Sequence, residues 1–426
     1  MKSVLILCPT SREYRYLPPI AAGLNCRLIF DEFAGDYFDR QLAGDSRTKA
    51  GGLDILSLIE ATIERYKDTS LGGVTSAVGY PGMAAASIVA ERLGLPGAQI
   101  ERVLRCEHKY YARVAQASLL PSATPSFQLV PPTGLDADSL RIPFPLFLKP
   151  VKSCFSINAQ KVSSLPELRR VAAKSLLPEG FLRPFNDLLT AYTDYESDAS
   201  HLLAEALLEG VQVSLEGYAS GGRVHTLGII DAVMYPGTIS FERFVYPSRL
   251  PAEVQARMSR IAEAFIAGIG YDNALFNMEL LYHPATGRVC IIEINPKIAS
   301  QFPDLFEKVD GTSSYVPLLQ VALGEEPEFP HRQGAFKMAA SCVLRTFEDR
   351  RVARVPRAER LAELARACPD ARVEVSVAEG QLLSDIMQDG KSFRYGLINL
   401  GANSEEELDA KLAFCERMLD FRFAAP

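Results

Sequence analysis

Four residues near the middle of the chain combine reactive chemistry with suggestive spacing. Glu279, Glu293, Asn295 and Lys297 lie in the stretch LFNMELLYHPATGRVCIIEINPK, Leu275 to Lys297. Two runs rich in aliphatic and aromatic residues flank Pro284-Ala285-Thr286-Gly287, a strand, turn, strand pattern. A three-residue loop of Ala285, Thr286 and Gly287 puts glycine where a positive φ is needed and sets Pro284 opposite Arg288. In that register Glu279 falls opposite Glu293 and Asn277 opposite Asn295, and alternation places all four on one face. Phe276, Met278, Leu280, Ile292 and Ile294 take the other face, the predicted core. Two like charges directly opposed on a sheet destabilise it unless something positive lies between them. Mg²⁺ takes oxygen ligands and usually pairs one or two carboxylates with phosphates and waters, so this face suits a metal and a nucleotide. A solvated polar face on an amphipathic hairpin is the competing reading.

Lys149 closes the apolar run Pro145-Leu146-Phe147-Leu148 and precedes Pro150. A buried ammonium must be paired, so Lys149 is predicted to point into a cleft. Lys109 lies in ERVLRCEHKYYARVAQASLL, where pattern alone reads it as an exposed helix lysine. The loop Val151 to Gln160, VKSCFSINAQ, contains no glycine, and its serines and backbone amides are possible phosphate donors.

The segment Glu279 to Lys297, with its Glu-Ile-Asn-Pro-Lys ending, resembles the metal-binding hairpin of the ATP-grasp superfamily, in which the ending is commonly Glu-Ile-Asn-Pro-Arg. The likeness is to the carboxylate-amine ligase type, similar to L-amino acid ligases. It implies an α/β and α+β architecture: an ATP-grasp fold with an N-terminal parallel α/β domain, a central two-subdomain nucleotide cleft and a small C-terminal α+β domain. It implies ATP and Mg²⁺ as cofactors, with Mn²⁺ as the alternative ion, and Glu279, Glu293 and Asn295 as metal ligands. Lys109 and Lys149 would meet the phosphates and stabilise the transferred charge. The loop holding Ser156 stands where the family has a glycine-rich flap. Glu205, Ala206, Leu207 and Leu208 match the adenine slot, and Gln212 stands where a ribose-binding carboxylate is usual. Lys297 replaces the common arginine and would meet the acyl phosphate or its tetrahedral adduct. The implied reaction joins a small carboxylate to an amine. Thiol ligation, bicarbonate activation and a non-catalytic nucleotide-binding regulator are the alternatives.

The elements that must position these residues follow from the rest of the chain. At 426 residues it exceeds one compact core. The expected units are residues 1–119, an N-terminal α/β domain; 120–204, a small subdomain; 205–330, a larger subdomain carrying the hairpin; and 331–426, a C-terminal α+β domain. In the first, Val4–Leu7, Cys26–Phe30 and Gly73–Gly79 read as strands and Ile55–Tyr66 and Met83–Leu93 as helices, which argues for a parallel sheet. Pro9–Glu13 and Tyr80–Met83 are its candidate ligand loops. Residues 186 to 200 read as an acidic surface excursion, and Phe241–Ser248 as a turn in which Glu242 and Arg243 either bind substrate or form a surface ion pair. Gln388–Gly396 reads as a polar loop, with Lys391 and Arg394 facing the cleft or a plain hairpin turn.

The net charge of −7 supplies no basic field for nucleic acid, and no apolar run is long enough to span a bilayer. Eight cysteines without a Cys-x-x-Cys or Cys/His cluster argue against a zinc site or a disulfide framework and fit a cytoplasmic protein. The expected partners are small molecules, with a homodimer left open.

Overall fold

The computed structural model describes residues 1–42, 52–135, 138–154, 156–385 and 392–425. The chain begins with a three-stranded parallel sheet in the order β2-β1-β3: β1 (Ser3–Leu7), β2 (Arg27–Asp31) and β3 (Leu71–Thr75). Val4 to Leu7 are completely buried, as expected of a strand covered on both faces. Helices α1 (Ser11–Gly23), α2 (Tyr37–Leu42), α3 (Ile55–Tyr66) and α4 (Ala84–Arg92) complete the unit. Pro9–Glu13 is not the loop that patterning suggests. Thr10 and Glu13 form a reciprocal capping box that starts α1 at Ser11, and Glu13 also accepts from the buried Tyr315 hydroxyl. The internal Pro18 and Pro19 hid this helix from propensity reasoning.

Next come α5 (Ile100–Glu107) and α6 (Lys109–Leu119), parted by His108 in an extended conformation, φ −95° and ψ 95°. A four-stranded antiparallel sheet follows, ordered β4-β7-β5-β6 from β4 (Phe127–Val130), β5 (Leu146–Pro150), β6 (Gln160–Val162) and β7 (Leu202–Ala206). Because β7 runs through Ala206, the boundary expected at 204/205 falls inside a strand. Helices α7 (Leu165–Ala172) and α8 (Glu179–Tyr192) lie between β6 and β7. The expected excursion at 186–200 is therefore helical as far as Tyr192. Its Leu188 and Leu189 are core residues of α8, while the tail from Thr193 is irregular.

An eight-stranded antiparallel sheet, ordered β12-β11-β8-β9-β10-β13-β16-β15, dominates the remainder. It is built from β8 (Val211–Ser220), β9 (Arg223–Met234), β10 (Phe241–Tyr246), β11 (Ala274–Tyr282), β12 (Val289–Asn295), β13 (Met338–Thr346), β15 (Arg372–Val375) and β16 (Phe393–Ala402), with the small pair β14 (Arg351–Arg354) and β17 (Arg422–Ala424) beside it. Helices α9 (Ala252–Gly268), α10 (Pro303–Asp310), α11 (Tyr315–Ala322), α12 (Ala358–Ala367) and α13 (Glu405–Leu419) cover it. Phe241–Tyr246 is a ladder strand, not a turn. It joins β9 to β13, so the hairpin subdomain and the C-terminal unit share one sheet. Among the described residues no helix is long and apolar enough to cross a membrane.

The hairpin reaches its expected register by an unexpected route. Glu279 faces Glu293 and Asn277 faces Asn295. At the turn, however, His283 N donates to Arg288 O at 2.9 Å and Gly287, φ +71°, closes onto His283 O at 2.8 Å. The loop therefore holds four residues, Pro284 to Gly287, and shifts the pairing by one. A bulge at Ile292, between the pairs Glu279–Glu293 and Leu280–Ile291, shifts it back. The core assignment of Ile292 is corrected accordingly: Ile291 is completely buried and takes that place, with Phe276, Met278, Leu280 and Ile294 as expected.

Gly217 lies under this wall, paired with Phe276, where a Cβ would collide with the Phe276 ring and sit 2.6 Å from His225 O. Gly217→Ala is therefore expected to lower the unfolding free energy by about 1–3 kcal/mol, the usual cost of overpacking. Urea denaturation measures this, and an unchanged midpoint would contradict the packing.

Candidate active site

The polar face of the hairpin carries the acids of the candidate site. Glu279 and Glu293 are cross-strand partners. Gln212 Nε2 donates to Glu279 Oε2 at 3.0 Å, while Lys109 Nζ lies 3.0 Å from Glu293 Oε1. Behind them Asn295 Nδ2 donates to Asn277 Oδ1 at 3.2 Å, and Asn277 Nδ2 donates to Ser214 Oγ and Glu216 Oε1, both at 2.6 Å. Burial and then the charge of Glu293 push Glu279 up to about 7. Burial also pushes Glu293 upward, but Lys109 and Lys149 outweigh it and hold that carboxyl below its ordinary value. One acid is thus neutralised by lysine and the other is left wanting a cation.

Among the described residues no three His, Cys, Asp or Glu side chains gather as a self-sufficient metal cage. Two opposed carboxylates and the amide of Asn295 do fit a hard divalent ion that takes its remaining oxygens from phosphate and water. The raised Glu279 is the observation in favour of that fit.

The neighbouring elements supply cations. Lys149, at the end of β5, is 5% exposed, and its Nζ lies 2.8 Å from Glu205 Oε2 on β7 and 3.4 Å from Ile292 O. The bulge that restores the register thus turns a backbone carbonyl toward Lys149. Arg113, 2% exposed, ion-pairs with the other oxygen of Glu205 and donates to Ile292 O at 2.7 Å. Burial drives the Lys149 ammonium down; Glu205 partly opposes this and Arg113 adds to it. For Lys109 the pull of Glu293 overcomes burial and raises its pKa. Lys109 is 9% exposed and also donates to Ser153 O at 3.2 Å, so it is not the exposed helix lysine of the pattern-only reading.

The remaining sequence-derived positions fall around this centre. Glu205 lies at this centre, but its carboxylate is occupied by Lys149 and Arg113. Ala206 ends β7, and Leu207 and Leu208 continue from it, all partly exposed. Ser156 stands exposed with φ +57°, while Ser153 Oγ closes the loop onto Ile157 O at 2.8 Å. Lys297 projects from the end of the hairpin, its Nζ 3.3 Å from Ile298 O. Arg243 pairs with Asp409 at 2.6 Å, the ion-pair reading. Of the Gln388–Gly396 segment, residues through Lys391 lie outside the described residues. Arg394 belongs to β16, where the charges of Arg12 and Arg345 act on it.

Sequence reasoning missed Arg113 and Glu216. Arg113 was detectable, since it lies four residues after Lys109 and so on the same helical face. Glu216 is completely buried, accepts from Asn277 and from Ala299 N at 3.1 Å, and is pushed up to about 8 by burial. Nothing in its local sequence separates it from an ordinary strand glutamate.

Residues 142–302 match the family model described as an ATP-grasp domain. No curated protein matches the sequence. Among solved structures, L-amino acid ligase from Bacillus licheniformis superposes with a TM-score of 0.76 at 17% identity, over 100% of this chain and 99% of that one. The biotin carboxylase domain of 2-oxoglutarate carboxylase from Hydrogenobacter thermophilus, in a complex with MgADP and bicarbonate, gives 0.65 at 14%, over 99% and 91%. N5-carboxyaminoimidazole ribonucleotide synthetase from Thermus thermophilus gives 0.65 at 15%, over 98% of each chain. The chain carries an ATP-grasp domain and has the ATP-grasp fold.

The opposed acids yield a prediction about pH. Glu279 ionises near 7 when folded, against an ordinary 4.5, so between those values the folded chain holds a proton that the unfolded chain releases. Stability should therefore fall as pH rises through that window. Glu279→Gln is expected to flatten this fall, to stabilise the protein at pH 8 by about 1 kcal/mol and to weaken Mg·ADP binding. Urea denaturation at pH 5 and 8 with calorimetry checks both, and a variant that is less stable at pH 8 yet binds Mg·ADP normally would refute the arrangement.

Proposed function

We propose that this protein is an ADP-forming ligase that joins a small carboxylic acid or amino acid to an amine through an acyl phosphate. The observation that carries the reading is that Lys109 pairs with Glu293 while Lys149 reaches the Ile292 carbonyl beside it and acts by its charge on both members of the opposed pair Glu279 and Glu293. Two cations, two acids and an amide on one cleft suit a nucleoside triphosphate with its metal, and the ATP-grasp domain match supports the same assignment.

Glu279, Glu293 and Asn295 would hold Mg²⁺, which supplies an electrostatic clamp on the phosphates when bound. Lys149, fixed by Glu205, meets the nucleotide phosphates from the small-sheet side. Lys109 meets them from the start of α6. The strand end Ala206 to Leu208 lies along the adenine position, and Gln212 offers an amide to the ribose hydroxyls. Phosphoryl transfer to the substrate carboxylate then needs little from the protein beyond alignment and charge neutralisation. Lys297 stabilises the oxygens of the acyl phosphate or of the adduct formed when the amine adds.

A screen for ADP release with Mg·ATP, pooled amino acids and small carboxylic acids tests the reading. Turnover should appear with at least one acid and amine, and Glu293→Gln should lower it by about 10²-fold or more, the scale for losing a charge-stabilising group. ADP formation undiminished in Glu293→Gln would sink the metal assignment. ATP binding without turnover in any pool would sink the ligase.

A further inference from the structure

We propose that Glu107 is the amine-binding residue, the carboxylate that receives the ammonium of the second substrate and removes the proton it must lose before attack. This rests on the ligase reading. The first ground is position. His108, extended between α5 and α6, makes Glu107 the last residue of one helix and Lys109 the first of the next. From that kink Lys109 reaches Glu293, whereas Glu107 reaches Gly79, beyond the carboxyl end of β3. A Cβ on Gly79 would collide with Glu107 Oε1 and lie 3.5 Å from Lys297 Cδ. Glu107 therefore stands beside the lysine assigned to the acyl phosphate, and glycine is what admits it.

The second ground is that Glu107 is half used. Its Oε2 ion-pairs with Lys152, a 4%-exposed lysine whose Nζ lies 4.9 Å from the centroids of both the Tyr80 and Phe185 rings, an arrangement that fixes a cation. Among the described residues the carboxylate accepts a hydrogen bond at Oε2 and none at Oε1, and the buried Tyr80 hydroxyl, on which the charge of Glu107 acts, has no hydrogen-bond partner. The other cleft carboxylates are committed. Glu279 and Glu293 face the metal position, Glu205 is consumed by Lys149 and Arg113, and Glu216 is completely buried behind Asn277.

The third ground is chemistry. A primary amine near neutral pH arrives as an ammonium without a lone pair, so it needs an anion to bind it and a base to unmask it. Glu107 Oε1 takes one proton, and the nitrogen lone pair forms the C–N bond to the acyl carbon. The bond from that carbon to the phosphate oxygen breaks with its electron pair on phosphate. The second proton leaves the nitrogen to the departing phosphate, and Glu107 returns its own to solvent. Lys152 is a positioning residue for this carboxylate.

The test separates the two halves of the reaction. The acid and amine found by the ADP screen are used with the full-length protein, and hydroxylamine, uncharged at neutral pH, replaces the amine in a parallel assay that traps the acyl phosphate as a hydroxamate. Glu107→Gln should leave hydroxamate formation within about twofold of wild type while amide formation falls by about 10²-fold, the scale of a lost general base. That deficit should shrink as pH rises and more amine is already neutral. Gly79→Ala, which displaces Oε1, should show the same selective loss, with Mg·ADP affinity retained as evidence that the fold persists. Equal loss of both activities in Glu107→Gln, or loss of neither, overturns the assignment while leaving the ligase intact. Absence of hydroxamate with every acid in the wild type overturns the ligase, and this assignment with it.

Discussion

The structure turns on the placing of two carboxylates opposite each other at the edge of a large sheet. Glu279 and Glu293 repel in the folded chain, and the site is the set of answers to that repulsion. Lys109 neutralises one acid, Gln212 donates to the other, and Lys149 is held near both by Glu205 and the Ile292 carbonyl. None of these answers is local in sequence. They come from a helix in the linker, a strand of the small sheet and a strand of the large one, so the tertiary fold is what makes the pair tolerable.

The supporting shell explains why the lysines stay where they are. A buried ion pair stabilises little on balance, yet removing one partner strands a charge and costs about 3–5 kcal/mol. Arg113, Glu205 and Lys149, each 5% exposed or less, form such a group across α6, β7 and β5, and the bulged carbonyl of Ile292 joins it to the hairpin. The two sheets are thereby locked in the geometry that nucleotide phosphates would meet. The loop from Val151 has no glycine, but it is held by Lys109 at Ser153 O and by Lys152 at Glu107. Anchoring by lysines replaces the backbone freedom that glycines would give.

The hairpin reaches its register through two compensating irregularities. Turn chemistry was sound at Gly287, which has the positive φ expected of it, but the loop is one residue longer than the pattern suggested. The bulge at Ile292 offsets that extra residue. A bulge leaves no mark on hydrophobic alternation when the displaced residue is itself aliphatic, as in Cys290-Ile291-Ile292. Only the partner groups that use the freed carbonyl, Arg113 and Lys149, reveal its purpose.

The sequence by itself determined what depends on neighbours along the chain. It specified the buried run of β1, the amphipathic α3, and the face shared by Asn277, Glu279, Glu293 and Asn295. It also specified that Lys149, following an apolar strand, had to find a partner. Side-chain alternation and helical periodicity are local properties, so the folded chain keeps them. The tertiary structure decided what depends on long-range contact. The capping of α1 despite two internal prolines involves Tyr315, some three hundred residues away. Strand β10 joined the sheet because β9 and β13 were there to pair with it, and the C-terminal unit became part of the hairpin's own sheet. The roles of Glu205 and Arg113, and of Glu107 beside Gly79, arose in the same way. A carboxylate's function is set by the charges and hydrogen bonds that reach it in space, and those are properties of the fold.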